Sequence, residues 1–291
     1  MSEVILSKRI REAVAALRKR SDLQPRTGVI LGTGLGSLPE GFAVDSSVSY
    51  DEIPHFPRSQ VESHANELVL GTLDGFPVAV MRGRVHYYEG FSMQEVTFPV
   101  RVLRGLGVET LVISSAVGGM NPTLSLGEIV LVADHINLMG DNPLIGPNED
   151  SLGPRFPDMS EPYDRGLQAV LQEVALEAGI PLVRGVLVAV AGPNLETRAE
   201  YRFLRWCGAD VVGMSLVPEN LVAVHAGMKV AALTVVTDLC FPDALETVDV
   251  ARIVATAAQA TPALSRLIGG LLSRLAGSAE RPARSSDGRD A

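Results

Sequence analysis

The stretch KVAALTVVTD, residues 229–238, is apolar at almost every position until it reaches Thr237 and Asp238. A strand with one face in water alternates apolar and polar residues, whereas a strand covered on both faces reads as a continuous apolar run. Residues 229–238 therefore predict a central strand with helices on both sides. Comparable runs recur at TGVIL (27–31), ELVLGTL (67–73), FPVAVMR (76–82), ETLVISSA (109–116), EIVLVAD (128–134), VRGVLVAVAG (183–192) and DVVGM (210–214). Asp74-Gly75 between two of them is a strong hairpin signal. Helical patterns fall near 93–106, 164–179, 197–207, 218–227 and 248–275. Another opens the chain, with Ile10, Val14 and Leu17 at helical spacing. Strands alternating with helices predict an α/β fold: a single domain with a central mixed, largely parallel β-sheet flanked by helices.

No linker or internal repeat divides the chain, so residues 1–276 are expected to form one domain. Residues 277–291 are polar and aperiodic, which predicts a disordered C-terminal tail. Among the 291 residues, 46% are hydrophobic and 20% charged, ordinary for a globular protein. The net charge of −9 argues against nucleic acid or an anionic membrane as a partner. Two isolated cysteines, Cys207 and Cys240, supply neither a disulfide framework nor a zinc site and fit a reducing cytoplasm. No run has the length of a transmembrane helix, and the N-terminus lacks a signal-peptide pattern.

Polar and glycine-rich residues gather where strands end: GTGLG (32–36), Ser114 to Gly119, Gly213-Met214-Ser215 and Thr237-Asp238. In open α/β sheets ligands bind beyond such ends. GTGLG departs from the dinucleotide fingerprint, because its third glycine comes one residue early and Pro39 and Gly41 leave no room for a long helix. What remains is a backbone that can approach an anion closely, with the Thr33 hydroxyl beside it. In MRGRVHYYEG (81–90), Arg82, Arg84, His86 and Tyr88 occupy alternate positions. In an extended chain they would share one face, a donor-rich surface suited to an anion. The alternative is a solvated edge strand. Residues 140–163 form a long loop dense in Pro, Gly, Asn and Asp, which in a compact domain is usually functional or disordered.

Longer stretches carry more information than these short ones. GTGLG, DEIPHFPRS with the later His64, GRVHYYEG, VTFPVRVLRGLGVETLV, GGMNP, DHINL, RFPDMSEPYD, VAGPNLETRAE and GADVVGMSLVPE together resemble the trimeric purine nucleoside phosphorylase family, which is related to the methylthioadenosine phosphorylases. The resemblance covers residues 25–275. It implies phosphorolysis of purine (2′-deoxy)ribonucleosides to free base and (deoxy)ribose 1-phosphate, by a cytoplasmic homotrimer that needs no metal or organic cofactor. Inorganic phosphate is the co-substrate. The matching positions imply a phosphate site of Thr33, His64, Arg84, His86, the backbone near Ala116, and Ser215. Tyr88, Met214 and Phe156 match ribose contacts, Phe156 reaching the neighbouring subunit's sugar. Leu195, Glu196, Val212, Gly213, Thr237 and Asp238 match the base site, with His86, Glu196 and Asp238 as catalytic candidates. Arg82 has no counterpart.

Four departures from the family pattern bear on substrate. Asp238 stands where the 6-oxopurine enzymes carry asparagine, and an aspartate suits a 6-amino group, as in the methylthioadenosine relatives. Glu196 is retained, and its carboxylate suits the N1 hydrogen and 2-amino group of guanine. The expectation is guanosine and inosine as substrates, with adenosine or 5′-methylthioadenosine as the alternative. No histidine lies near 248–252 to meet a 5′-hydroxyl; Val248 and Val250 are there instead, and their plainest reading is helix core. Leu195 replaces a frequent aromatic, and Ser115 replaces an asparagine.

Overall fold

In the computed structural model, residues 6–61 and 64–279 are described. Among them lie strands β1 (Thr27–Leu31), β2 (Ala43–Ser49), β3 (Glu67–Leu73), β4 (Phe76–Arg82), β5 (Thr110–Gly119), β6 (Ile129–Leu138), β7 (Leu182–Val190), β8 (Val211–Gly213) and β9 (Lys229–Leu239). The α-helices are α1 (Leu6–Arg18), α2 (Met93–Leu106), α3 (Arg165–Ala178), α4 (Arg198–Trp206), α5 (Val217–His225) and α6 (Val250–Ala279).

The strands form one sheet in the order β2-β3-β4-β1-β5-β8-β7-β6-β9, and β9 also pairs with β5. That pairing closes β5, β8, β7, β6 and β9 into a ring, from which β1, β4, β3 and β2 extend as an open wing. Pairings β1–β4, β1–β5, β5–β9, β6–β7 and β7–β8 are parallel. Pairings β2–β3, β3–β4, β5–β8 and β6–β9 are antiparallel. The sheet is mixed, as expected, with parallel pairs in a small majority.

The continuous apolar runs have the expected cause. Along β9, Val230, Ala232 and Val236 join the core shared with α1, α2 and α5, while Ala231, Leu233 and Val235 join the core shared with α3 and α6. Residues alternate between two buried faces, so neither face is polar. Each fully buried Val or Leu contributes about 1.5–3 kcal/mol. Strand β2 escaped the sequence reading because AVDSSVS fully buries only Val48, as a polar edge strand does. The β3–β4 hairpin sets Leu73 opposite Phe76, with Asp74 and Gly75 at φ 50° and 79°, the left-handed pair a tight hairpin turn requires. Helix α6 runs past the expected residue 275 to Ala279; the rest of the expected disordered tail, 280–291, lies outside the described residues.

The stretch 81–90 does not stay extended. Strand β4 ends at Arg82, Gly83 turns the chain at φ 110°, and Tyr87–Glu89 form one turn of 3-10 helix. An alternating face would need extended backbone throughout, so Arg82 and Arg84 part company. Arg82 points to Glu67 at 2.9 Å and to the Gly36 carbonyl. Arg84 is 3% exposed, donates to Glu219 on α5 at 3.1 Å and to the Ser114 carbonyl of β5. This buried ion pair ties the turn after β4 to α5 and β5.

Removing one partner strands the other charge in a dry environment, which costs about 3–5 kcal/mol. Glu219→Ala is therefore expected to lower the unfolding free energy by about that amount in urea titrations. Glu67→Ala, which breaks the half-exposed pair with Arg82, should cost less than about 1 kcal/mol.

Candidate active site

A cavity of about 200 Å³ opens beside the ends of β5, β8 and β9. Thr33, His86, Ser115, Ala116 and Ser215 line it together with Glu196, Val212, Thr237 and Asp238. The polar groups segregate into a hydroxyl-and-imidazole cluster and a carboxyl cluster.

In the first cluster, the Ser115 and Ser215 hydroxyls are 3.0 Å apart. Ser215 follows β8, and Leu216 after it holds φ 73°, a conformation that costs a non-glycine residue of order 1–3 kcal/mol. Helix α5 begins at Val217, so Ser215 stands beside a helix N-terminus, where backbone N–H groups favour negative charge. Thr33 comes from the loop after β1, which continues irregularly and not into a helix, as its failed fingerprint predicts. His86 is fixed by Glu89, which accepts from its backbone N–H at 2.8 Å and from ring Nδ1 at 2.9 Å. Burial pushes the Glu89 carboxyl up, but His86, the Gln60 N–H and the Ser59 hydroxyl outweigh it and hold its pKa near about 2. An ionised Glu89 keeps the proton on His86 Nδ1 and leaves Nε2 for other partners. The His86 ring stacks on Tyr88 at 4.7 Å and on His64 at 5.4 Å. Burial, with His86 and Arg84 adding, drives the His64 pKa down to about 3, so that imidazole stays neutral. Burial and Glu89 push Tyr88 up to about 12, which keeps its hydroxyl a donor.

The carboxyl cluster holds Glu196, Tyr201, Asp238 and Cys240. Burial raises the Glu196 pKa and the Asp238 and Glu200 charges add to the rise, while backbone and Tyr201 donors oppose it. Asp238 Oδ1 lies 3.1 Å from the Thr237 hydroxyl, and Oδ2 accepts from the Cys240 thiol at 3.2 Å. Leu195 and Val212 supply apolar wall.

Of the residues expected from the sequence, the cavity gathers Thr33, His86, Tyr88, Ala116, Leu195, Glu196, Val212, Gly213, Met214, Ser215, Thr237 and Asp238. His64, Arg84 and Phe156 do not line it. His64 is packed behind His86, and Arg84 is held behind Ser114 by Glu219. Phe156 is 86% exposed on the loop 140–163, with the Arg155 guanidinium over its ring. The valines are not helix core: Val250 is 71% exposed, and Val248 borders a second cavity of about 350 Å³ that shares Thr237, Asp238 and Ile253 with the first. Sequence reasoning gave no role to Tyr201 or Cys240. Cys240 stands two residues past Asp238, a spacing that returns a side chain to the same face of an extended chain. Tyr201 carried no such signal. Among the described residues, no group of three or more His, Cys, Asp or Glu could hold a metal ion, and no helix is long and apolar enough to cross a membrane.

The model of the Phosphorylase superfamily matches residues 26–273. Purine nucleoside phosphorylase 1 of Bacillus subtilis is 50% identical over 230 residues, covering 79% of this chain and 85% of that protein. The crystal structure of purine nucleoside phosphorylase isoform 2 from Schistosoma mansoni, in complex with cytosine and ribose-1-phosphate, superposes with a TM-score of 0.86 at 36% identity and covers 92% of this chain and 96% of its own. A Schistosoma mansoni purine nucleoside phosphorylase in complex with adenosine gives 0.85 at 37% identity, covering 91% and 96%. With a family match over almost all of the fold and a relative sharing half of the aligned residues, this chain belongs to the phosphorylase superfamily, in its purine nucleoside phosphorylase family.

Proposed function

We propose that the protein is a pentosyltransferase that carries out reversible phosphorolysis of purine (2′-deoxy)ribonucleosides, guanosine and inosine first among them. The observation that carries this reading is one cavity with hydroxyls and an oriented imidazole in one cluster and two carboxyls in the other, in a chain of this family. Phosphate takes the hydroxyl-and-imidazole cluster, bound by Thr33, His86, the backbone at Ala116, Ser215 and the adjoining Ser115. Arg84 and His64 stand behind this subsite, and Arg84 holds the Ser114 segment that leads into it. Tyr88 and Met214 contact the ribose. The base meets Leu195, Val212, Gly213 and Thr237 and is held by Glu196 and Asp238.

A phosphate oxygen attacks C1′ as the bond from C1′ to the base nitrogen breaks, and the bonding pair leaves with the base. The sugar passes through an oxocarbenium-like state that the phosphate charge stabilises at short range. Groups already aimed at the base neutralise the charge it gains, which is worth most in a site shielded from water. No metal or organic cofactor enters this scheme, whose acid–base and electrostatic needs are met by side chains. The exposed Phe156 supports a homotrimer in which each protomer's loop covers its neighbour's sugar. The two free cysteines support a reducing cytoplasmic location. The catalytic domain extends through α6, which ends at Ala279.

Phosphate-dependent base release should be seen with inosine and guanosine and vanish when phosphate is omitted; release from none of inosine, guanosine, adenosine and 5′-methylthioadenosine would refute the reaction. Ser215→Ala should raise the KM for phosphate about 10- to 100-fold, the range for a hydrogen bond to a charged group, with a smaller change in nucleoside KM. Asp238→Asn should raise the inosine-to-adenosine ratio of kcat/KM, and an unchanged ratio would remove Asp238 from base recognition.

A further inference from the structure

Tyr201 and Cys240 line the carboxyl cluster and have no part in the scheme above. Each is 1% exposed. The Cys240 thiol donates to Asp238 Oδ2 at 3.2 Å. Among the described residues Oδ1 has a contested donor: the Thr237 hydroxyl lies 3.1 Å from it and 3.2 Å from the Val117 carbonyl, with one proton to give. The thiol is thus the donor that Asp238 does not share. The Tyr201 phenol lines the same cavity as Glu196 and Cys240, and its one proton is shared between that carboxyl and the thiol sulfur. Glu196, Tyr201, Cys240 and Asp238 are therefore gathered as one polar cluster on the cavity wall at the base site. Gly118 of β5 makes room for it, since a Cβ there would stand 2.5 Å from Cys240 Sγ and 3.2 Å from Asp238 Oδ2.

We propose that Tyr201 and Cys240 are specificity-determining residues, a donor pair that orients and polarises Glu196 and Asp238 so that the base site takes 6-aminopurine as well as 6-oxopurine nucleosides. The inference rests on the phosphorolysis reading and names the substrate classes of that site. An ionised Glu196 accepts the N1 hydrogen of a 6-oxopurine, whereas a protonated Glu196 donates to N1 of a 6-aminopurine. An ionised Asp238 accepts from a 6-amino group, whereas a protonated one donates to a 6-oxygen. Donation to a carboxylate favours its ionised form. The phenol therefore pulls Glu196 towards 6-oxopurines, and the thiol pulls Asp238 towards 6-aminopurines. Losing either donor moves preference in opposite directions, which a general loosening of the pocket does not do.

The charged and titratable groups facing Glu196 are Tyr201 and Glu200 of α4 and Asp238 of β9, with Cys240 directly beyond it. Two of these are acidic and favour its protonated form.

The test compares kcat/KM for inosine and adenosine at saturating phosphate. The quantity read is the adenosine-to-inosine ratio of kcat/KM. At neutral pH, Tyr201→Phe should raise that ratio and Cys240→Val should lower it, each by about 2- to 10-fold, the worth of one hydrogen bond. Cys240→Ser, which keeps a donor, should restore the ratio. Cys240→Ala serves as a second thiol-free variant should valine not fit against Gly118. A ratio that moves the same way in both variants, or that Cys240→Ser fails to restore, would overturn the inference while leaving phosphorolysis intact. Absence of base release in the unmodified enzyme would instead overturn the phosphorolysis reading.

Discussion

The parallel pairing of β5 with β9 is the constraint on which the site depends. It runs from Thr110 opposite Lys229 to Ser115 opposite Thr234, and the register shifts between Val117 and Gly118, so that Gly118 stands opposite Asp238. A bulge re-aims side chains at the point where it interrupts a ladder. Here it sets the Thr237 hydroxyl against the Val117 carbonyl and brings the Asp238 carboxyl past a residue without a Cβ. The same pairing closes the ring of five strands, so β8 reaches the site from the other edge of β5 and carries Gly213, Met214 and Ser215 with it.

Polar groups are then sorted by what stands behind them. On the hydroxyl side, an ionised Glu89 locks His86, and the buried Arg84–Glu219 pair holds the Ser114 segment that leads into Ser115. A buried charge is tolerated only with a partner and well-placed hydrogen bonds, so these supports fix geometry as much as they add stability. On the carboxyl side no cation among the described residues pairs with Glu196, and burial with two neighbouring acids raises its pKa. Two carboxyls with different surroundings in one pocket are a common way for a site to divide donor and acceptor roles.

Local regularities in the chain were legible because they follow short-range rules. Continuous apolar runs marked strands with two buried faces, and Asp74-Gly75 marked the hairpin. The expected site residues largely converged because strand ends collect polar groups and because long motifs resemble a family. The failures share one cause, a dependence on contacts remote in sequence. Strand β2 lacks an apolar face of its own and is held by pairing with β3. Arg84 leaves the line of Arg82 because Gly83 turns the backbone and Glu219, far along the chain, offers a buried acceptor. Tyr201 enters the site from the buried side of α4, next to a strand end that its own segment does not encode.

By itself the sequence determined the alternation of strands and helices, the two-sided burial of β9, the turn at Asp74-Gly75 and the residues able to do chemistry. Side-chain periodicity and backbone preferences act over a few residues, so they are written in the local order of amino acids. Only the tertiary structure decided that five strands close into a ring, that Arg84 and His64 stand behind the cavity and not on its wall, and that Tyr201 and Cys240 join Glu196 and Asp238 in one cavity. Those outcomes depend on which buried donors and acceptors find each other once the two core layers have packed. Sequence order alone does not specify that pairing.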